Sequence, residues 1–411
     1  MQQRHLVKKS KIEVARKISI LLTCVLFFFD NMFPVHSGSF IQYGIQIAAL
    51  LSLTLFFSTN ALSSSLSIST SDQKPQITFG IIADIQYAPI PDGYSYGGRP
   101  RYYRHSLAAA RHAAHNFQKH NLPLVVNLGD IIDGKCQEIE IHCKEELHDF
   151  VPPPEGSDPG LDAIDDVMEA LSVYKGKIMH TYGNHELYNL DRAALGEKLN
   201  IPFVKEPCGE LVGYYSHDSP CKKVKFVVID SYDIAMMQRC PNTSLKRKQA
   251  MRIMAENNPN YPRQENSPEG MEGTQKRFVA FNGGVGETQL EWLRSTLEQA
   301  KKDEQKVIIL SHQPILPGSS GDVCLIWNYS DVLDILREYK STVACALAGH
   351  AHKGGYSRDT SGIHFRVIEA ALESKDPIKT FGYVHVYDDR LEIEGEGDCG
   401  SAIYKLDHLS S

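Results

Sequence analysis

The sequence has no surplus of positive charge. Its 43 lysines and arginines stand against 50 aspartates and glutamates, which leaves a formal net charge of -7 for 411 residues. Proteins that bind nucleic acid usually present a basic patch to the phosphate backbone, so this composition disfavours a nucleic-acid partner. The hydrophobic share of 42% and the charged share of 23% are ordinary for a globular protein.

Cysteine pairs of the C-x-x-C type are also lacking, which excludes a zinc ribbon and a thioredoxin-like redox motif. Cys208 and Cys221 could pair across a loop, and so could Cys136 and Cys143; buried or free thiols are the alternative for each pair. The cysteines therefore leave the redox compartment open. They are nine in number: Cys24, Cys136, Cys143, Cys208, Cys221, Cys240, Cys324, Cys345 and Cys399.

Charged residues are missing from a long N-terminal stretch, since no Asp, Glu, Lys or Arg occurs between Asp30 and Asp72. A basic segment and the apolar run Ile18–Phe29 precede this stretch, and a second apolar run, Phe40–Ser58, lies within it. This order is typical of a signal peptide or a signal anchor. Residues 1–72 are predicted to target the chain or attach it to a membrane, with a disordered extension as the alternative. The folded domain is predicted to span residues 73–411.

Six short apolar runs in the folded part predict buried β-strands. Each run breaks into polar residues, as ITFGII does before Asp84 and KVIILS does before His312. Apolar residues spaced three and four apart predict helices over residues 103–120, 161–174, 288–302 and 330–339. Strands that alternate with helices indicate the α/β class. The six runs begin at Ile77, Leu122, Lys177, Lys225, Lys306 and Val343.

The C-terminal part follows a different pattern. The segments FRVIEAAL, FGYVHVYDDRLEIEGEG and SAIYKL alternate between apolar and polar residues, with Asp388 and Asp389 at a turn. This alternation predicts antiparallel strands that complete a second sheet. Residues 249–275 are polar and rich in Pro, Asn and Gly, which predicts a long surface excursion.

Five short motifs follow the predicted strands in a fixed order. One such motif arises easily by chance, but five motifs that each follow an apolar strand indicate one common site. Carboxylates, amides and imidazoles from several chain segments are the ligands with which two divalent cations are held for phosphoryl chemistry. The motifs are D-x-Q at Asp84 and Gln86, G-D at Gly129 and Asp130, G-N-H-E at residues 183–186, S-H at Ser311 and His312, and G-H-x-H at residues 349–352.

This set of motifs resembles that of the calcineurin-like metallophosphoesterases. The resemblance implies a four-layer α/β/β/α sandwich of two mixed sheets around a binuclear metal centre. It also implies that His185 protonates the leaving oxygen or stabilises the phosphoryl charge; a structural histidine is the alternative. By the same resemblance, Asp84, Gln86, Asp130 and His352 would hold one metal, and Asp130, Asn184, His312 and His350 the other, with Asp130 shared.

Gln86 departs from the D-x-H that opens most of the superfamily. An amide oxygen in place of an imidazole makes the first metal site harder, which favours Mn²⁺ or Mg²⁺, while the remaining histidines keep Zn²⁺ plausible. The runs FGIIADIQYA, YSYGGRPRYYRHSL and NLGDIIDG resemble the manganese-dependent ADP-ribose/CDP-alcohol diphosphatases, over about residues 77–406. The resemblance implies an intracellular enzyme that cleaves ADP-ribose, CDP-choline, CDP-glycerol and related compounds to a nucleoside monophosphate and a phosphorylated alcohol or sugar.

Several further residues are candidates for substrate contacts. Arg99, Arg101 and Arg104 could bind the second phosphate, with neighbouring tyrosines for a base; a plain surface loop is the alternative. Tyr214, in the segment CGELVGYYSH, is a second candidate for a base or ribose pocket. These assignments define a substrate region without fixing its shape.

Three carboxylates near the motifs have structural alternatives. Asp133 could support the metal ligands, cap a helix or lie solvated in a loop. Asp230 is expected to be a structural cap. Glu186 could orient His185 or cap a helix. None of the three is predicted to bind metal.

Two other functions compete with a diphosphatase. A phosphomonoesterase of the purple acid type needs a tyrosinate in a D-x-x-Y motif, but residues 130–133 read Asp-Ile-Ile-Asp. A scaffold that has lost catalysis would have lost metal ligands, whereas every ligand position here holds a competent donor. We therefore predict a metal-dependent enzyme for a small nucleotide diphosphate, with a phosphomonoesterase or phosphodiesterase as the alternative. A monomer is the default expectation.

Overall fold

The computed structural model describes residues 73–139, 156–237, 244–374 and 380–410. Its strands are β1 (Ile77–Ile82), β2 (Gly93–Tyr94), β3 (Pro100–Arg101), β4 (Leu124–Asn127), β5 (Lys177–His180), β6 (Val204–Lys205), β7 (Leu211–Val212), β8 (Tyr215–Asp218), β9 (Val224–Ile229), β10 (Ile234–Ala235), β11 (Gly283–Gly284), β12 (Lys306–Ser311), β13 (Val343–Ala348), β14 (Gly355–Arg358), β15 (His364–Val367), β16 (Thr380–Val386), β17 (Arg390–Gly397) and β18 (Ala402–Lys405).

Seven α-helices connect these strands within the described ranges. They are α1 (His105–Lys119), α2 (Pro159–Leu171), α3 (Asn184–Asn189), α4 (Arg192–Leu199), α5 (Leu245–Asn257), α6 (Glu287–Lys302) and α7 (Tyr329–Glu338). The four helices predicted from apolar spacing are confirmed as α1, α2, α6 and α7, with ends that differ by up to three residues. A side-chain cap begins two of the others, since Asp191 caps α4 and Ser244 caps α5.

Two mixed six-stranded sheets form the centre of the domain. The first has the order β18-β17-β16-β1-β4-β5 and the second the order β14-β15-β13-β12-β9-β8. In the first sheet β1, β4 and β5 are parallel; in the second, β9, β12, β13 and β15 are parallel. The carboxyl ends of parallel strands meet at one edge of a sheet, which is where ligands bind in such folds.

The sheets pack face to face, with helices on the two outer faces. Along β12, Ile308 and Leu310 pack between the sheets, while Val307 and Ile309 pack against α6 and α7. Both faces of such a strand are buried, so it carries a continuous apolar run without polar alternation. Helices α1 and α2 cover the outer face of the first sheet. The predicted α/β/β/α sandwich of two mixed sheets is confirmed.

The prediction that the C-terminal strands complete a second sheet is wrong for β16, β17 and β18. Strands β16, β17 and β18 extend the first sheet, because β16 pairs antiparallel with β1 from Ile77↔Val386 to Ile81↔Gly382. The apolar run at Phe365 instead belongs to β15, which lies parallel to β13 in the second sheet. Period-two alternation indicates a half-buried strand but does not identify its partner.

The predicted surface excursion over residues 249–275 is wrong in its first third. Residues up to Asn257 belong to α5, whose Ser244 cap accepts a hydrogen bond from the Arg247 amide. Lys, Arg, Gln, Met and Ala are good helix formers, and this preference prevails where the apolar periodicity is weak. The later residues form turns, as predicted.

Other predictions fall partly outside the described ranges. Residues 1–72 and Cys143 lie there, so the N-terminal extension, the domain boundary at Gln73 and the Cys136–Cys143 pair stay predictions. Within the described ranges, none of the helices combines the length and apolarity that a bilayer span requires. Cys208 and Cys221 are free thiols, so the alternative of unpaired cysteines holds for that pair.

Candidate metal centre

The five motifs lie at the carboxyl ends of β1, β4, β5, β12 and β13, and residues 184–186 form the first turn of α3. The structure brings all seven predicted metal ligands to this edge. Those on the first sheet are Asp84, Gln86, Asp130 and Asn184, and each is no more than 4% exposed. His312 is fully buried, while His350 and His352 are partly buried at the mouth.

Two groups of ligand atoms share one carboxylate. Asp130, His312 and His350 offer atoms that lie within 4.8 Å of one another, and so do Asp84, Asp130 and His352. Asp130 is common to both groups. A shared carboxylate is what a pair of neighbouring cations requires, because its negative charge offsets their repulsion.

Four of these residues adopt left-handed backbone conformations. The φ angles are +50° for Asp84, +43° for Gln86, +52° for Asp130 and +66° for His350. Residues other than glycine seldom adopt this region, and such strain accumulates at functional sites. The loops at the sheet edge are therefore held in costly conformations that aim their side chains into one space.

Each candidate histidine has one ring nitrogen already committed. His312 Nδ1 lies 2.7 Å from the carbonyl oxygen of Leu128, and His352 Nδ1 lies 2.8 Å from a Glu373 carboxylate oxygen. An N–H directed at such an acceptor fixes the tautomer and leaves the other nitrogen free to bind a metal. His312 and His352 thus present Nε2 to the centre.

His350 uses the opposite nitrogen. Its Nε2 lies 2.9 Å from Oδ1 of Asn282, so its Nδ1 is the nitrogen left for a metal. Asn282 is fully buried and donates to the carbonyls of Arg277 and Val323, which orients its oxygen toward His350.

Two buried atoms support the fit of a cation pair. Gln86 Oε1 and His312 Nε2 are enclosed but meet no hydrogen-bond partner among the described residues, an arrangement that is costly unless something else binds them. The Gln86 Nε2 group lies 3.0 Å from Asp130 Oδ2 and 3.0 Å from His352 Nε2. Because the two ends of an amide are alike in shape, a half-turn of this group exchanges Nε2 for the oxygen ligand.

Gly183 leaves room for the centre. A Cβ atom at this position would collide with the Asp130 carboxylate and the His312 ring. The missing side chain allows the loop after β5 to pass close beside both ligands. The donor set, the enclosed atoms and this space together fit two divalent cations.

Glu186 stabilises the backbone of the loop that carries Asp130. Its fully buried carboxylate accepts hydrogen bonds from the amides of Gly183 at 2.7 Å, Asp130 at 3.0 Å and Ile132 at 3.2 Å, and also from the amide of Ile131. Of its two predicted roles, capping a helix is confirmed, because Glu186 accepts from the amide of Gly183, the N-cap residue of α3. It also holds the backbone that carries Asp130.

Two groups contact the Nδ1 atom of His185. It lies 2.8 Å from the Gly134 amide nitrogen and 3.2 Å from Asp133 Oδ2. Burial alone would lower the pKa of His185, but Asp133 and Asp130 outweigh it and raise the pKa to about 9. Since the Nε2 atom lies 4.0 Å from Asp130 Oδ2, the ring can release a proton next to the candidate metal ligands.

Asp133 therefore combines two of its three predicted alternatives. It is 1% exposed, which rules out a solvated loop carboxylate. It caps the short 3₁₀ helix that begins at Gly134 by accepting from the Lys135 amide, and it also supports His185. Asp230 is a structural cap, as predicted: it pairs with Arg192 at 2.7 Å and accepts from the Gly213 amide at 2.9 Å.

A cavity of about 350 Å³ opens above the candidate ligands. Arg101 lines it, with Nε buried and without a hydrogen-bond partner in the described ranges, and lies 3.6 Å from Asp133. Arg99 forms an ion pair with Glu373, which also lines the cavity. The structure thus brings two of the three predicted arginines to the centre.

Two predicted substrate contacts lie elsewhere. Arg104 is exposed at the start of α1 and is not among the residues that line the cavity. Tyr214 is 4% exposed and packs against Trp292, with ring centroids 4.6 Å apart. Tyr214, the predicted candidate for a base or ribose pocket, is therefore not among the residues that line this cavity.

Glu373 and Asn282 are supporting residues that the motifs did not reveal. Both lie far in sequence from the histidines they orient, so local spacing gave no signal. The segment around Glu373 was visible only as a short polar break between two strands.

Comparison with known proteins places this geometry in context. The model of the calcineurin-like phosphoesterase family matches residues 77–354. The chain is 41% identical over 329 residues to a manganese-dependent ADP-ribose/CDP-alcohol diphosphatase of Oryza sativa subsp. japonica, covering 80% of this chain and 94% of that protein. The enzyme of the same name from Homo sapiens is 36% identical over 333 residues, covering 78% and 90%.

One solved structure is similar over the same region. A dimetal phosphatase from Danio rerio superposes with a TM-score of 0.72 at 32% sequence identity, covering 81% of this chain and all of that protein.

Proposed function

The chain belongs to the calcineurin-like phosphoesterase family, and from this membership we propose that it is a manganese-dependent ADP-ribose/CDP-alcohol diphosphatase. It hydrolyses the diphosphate bond of ADP-ribose, CDP-choline, CDP-glycerol and related compounds. The products are a nucleoside monophosphate and a phosphorylated alcohol or sugar. The relatives that carry this activity in their names align over about four fifths of the chain.

The pair of ligand groups that share Asp130 is the observation that carries the proposal. Asp84, Gln86, Asp130 and His352 are proposed to hold one Mn²⁺, and Asp130, Asn184, His312 and His350 the other. When bound, two such cations neutralise charge on the phosphoryl oxygens and make water a stronger nucleophile. The oxygen-rich first site, with an amide at Gln86, suits manganese.

His185 is proposed to deliver a proton to the leaving oxygen. The proton leaves from Nε2, the nitrogen nearer Asp130, while the Nδ1 hydrogen stays directed at Asp133 before and after the transfer. Either charge state of the buried ring is therefore satisfied. The transfer of this proton needs no rearrangement of the backbone.

Arg101 is proposed to bind the phosphate that is not attacked. Its guanidinium lines the cavity and retains unused donors, and planar guanidinium groups match phosphate oxygens. Arg99 has a supporting role, because its partner Glu373 also orients His352. A substrate with two phosphates gains from this cation, whereas a monoester presents only one phosphate.

Release of nucleotide and phosphate from ADP-ribose, CDP-choline and p-nitrophenyl phosphate tests the proposal. The reaction is measured with Mn²⁺, Mg²⁺ and Zn²⁺ in turn. We expect AMP and CMP as products, with the highest turnover in Mn²⁺. A preference for the monoester would contradict the diphosphatase assignment, and no hydrolysis with any metal would contradict enzymatic function.

Membrane attachment through residues 1–72 and a monomeric state remain separate predictions. Fractionation of the full chain, with and without residues 1–72, tests the first. Neither bears on the chemistry at the metal centre.

A further inference from the structure

A second cavity, of about 530 Å³, lies beside the metal-centre cavity. The two cavities share a wall formed by Cys324, Ala351 and His352. His352 is a proposed metal ligand, so the second cavity begins where the scissile phosphate would bind. Cavities of this size hold small-molecule ligands.

The second cavity is lined by one cation together with hydroxyl and peptide groups. One wall is the loop Gly318–Gly321, which contributes two serines, and another is Lys353 with the glycines that follow it. Lys353 is exposed and makes no ion pair with any residue in the described ranges. Tyr356 also lines this cavity and is 43% exposed, although one face of its ring stacks on Tyr404 with centroids 4.7 Å apart and its hydroxyl lies 2.9 Å from His364 Nδ1.

The metal-centre cavity has a different lining. The rings of Phe281 and Tyr188 face it together with Arg101. Aromatic rings offer flat apolar surfaces to a nucleobase, whereas hydroxyls, peptide groups and an ammonium suit a small hydroxylated group. The two cavities therefore suit the two unlike halves of a nucleoside diphosphate compound.

We propose that the second cavity binds the non-nucleotide half of the substrate, and that Lys353 makes it select neutral, hydroxylated groups over cationic ones. This inference rests on the proposed diphosphatase function. In chemical terms, ribose and glycerol ends are accepted, while the quaternary ammonium of choline meets a like charge. Lys353 is thus a specificity-determining residue that binds no metal.

Charge repulsion sets the size of the effect. Near a protein surface, solvent and dissolved ions weaken the repulsion between two like charges without abolishing it. Replacing the ammonium by a carboxylate reverses the sign of this interaction. The ratio of kcat/KM for CDP-choline to that for CDP-glycerol should therefore rise about tenfold in Lys353→Glu and by less in Lys353→Met.

The ratio of the kcat/KM values for two substrates is the informative readout, because Lys353 directly follows the proposed metal ligand His352. Any loss of metal affinity or of contact with the shared CDP group lowers both rates together and cancels in the ratio. Lys340→Glu is the matched control, because Lys340 is an exposed lysine that precedes β13, at the end of the strand remote from the centre. It changes the net charge equally and should leave the ratio unchanged.

Product binding gives a second readout that does not depend on turnover. Calorimetric titration with phosphocholine and glycerol 3-phosphate should show that Lys353→Glu binds phosphocholine more tightly relative to glycerol phosphate than the wild type does. This measurement applies even where the variant hydrolyses slowly.

An unchanged ratio in Lys353→Glu, or an equal change in Lys340→Glu, would overturn the assignment of the second cavity and leave the diphosphatase function standing. Wild-type protein that hydrolyses only p-nitrophenyl phosphate would overturn both. A rise confined to Lys353 variants, seen in both readouts, would support the inference.

Discussion

The floor and the rim of the active site are built in opposite ways. The floor comprises the seven candidate ligands with Glu186, Asn282 and Glu373; it is largely buried and its histidines are oriented by fixed acceptors. The rim comprises the hairpin Gly93–Arg101, the loop Gly318–Gly321 and Lys353. Tyr94 and Tyr96 on the rim are 74% and 111% exposed, and its arginines contact the floor through single carboxylates.

This difference implies that the floor carries out the chemistry and the rim selects among substrates. A buried floor with every supporting group satisfied keeps ligand positions constant. An exposed rim can change its side chains at little cost in stability, because surface substitutions seldom exceed about 0.5 kcal/mol. We therefore expect floor variants to lose turnover for all substrates, and rim variants to change the relation among substrates.

Asp130→Asn should have the largest effect. It removes the negative charge shared by both ligand groups. It should lower kcat on the order of 10³-fold, which means that the activation free energy rises by several kcal/mol. Metal content by mass spectrometry and hydrolysis of ADP-ribose measure the change. Asp334→Asn is the control, because that carboxylate is 77% exposed on α7, and full metal content in Asp130→Asn would contradict the shared-ligand assignment.

Glu373→Gln should have the next largest effect. The amide cannot stabilise the His352 ring as a carboxylate does, so the affinity for Mn²⁺ should fall roughly 10- to 100-fold. Activity measured against Mn²⁺ concentration shows whether saturating metal restores turnover. Rescue by metal is expected for a positioning residue; an unrescued loss would place Glu373 in the reaction itself.

Arg101→Met and Arg104→Met form a matched pair from the same segment. Arg101 lines the cavity and Arg104 does not. KM for ADP-ribose should rise about tenfold in Arg101→Met, because a charge-assisted contact to phosphate is lost, and should stay unchanged in Arg104→Met. Equal effects in the two variants would contradict the proposal that Arg101, and not Arg104, binds the substrate.

The floor could be predicted from the sequence because its ligands follow apolar strands. A strand that is buried on both faces carries an apolar run that is easily recognised, and the first polar residues after it lie at the sheet edge. Asp84, Asp130 and His312 all follow this rule. The pairing of β16 with β1 was missed, because alternation along a strand does not specify its neighbour.

The supporting residues Glu373 and Asn282 could not be predicted, because they reach their histidines across long stretches of sequence. Glu373 reaches His352 across 21 residues of sequence, and Asn282 reaches His350 across 68. Such contacts depend on how the two sheets stack, and no local pattern encodes them. Tyr214 was predicted to contact the substrate, but tertiary packing, which the local sequence does not reveal, buries it against Trp292.

Tyr214→Phe should therefore have the smallest effect. The change retains the ring that packs on Trp292 and removes only a hydroxyl outside the cavity lining, so the free energy of unfolding should change by about 1 kcal/mol or less and kcat/KM should not change. Thermal unfolding and steady-state kinetics with CDP-choline measure the two quantities. Because Tyr214 belongs to neither floor nor rim, a selective rise in KM would show that substrate reaches beyond the cavity and that the rim extends to the segment before β8.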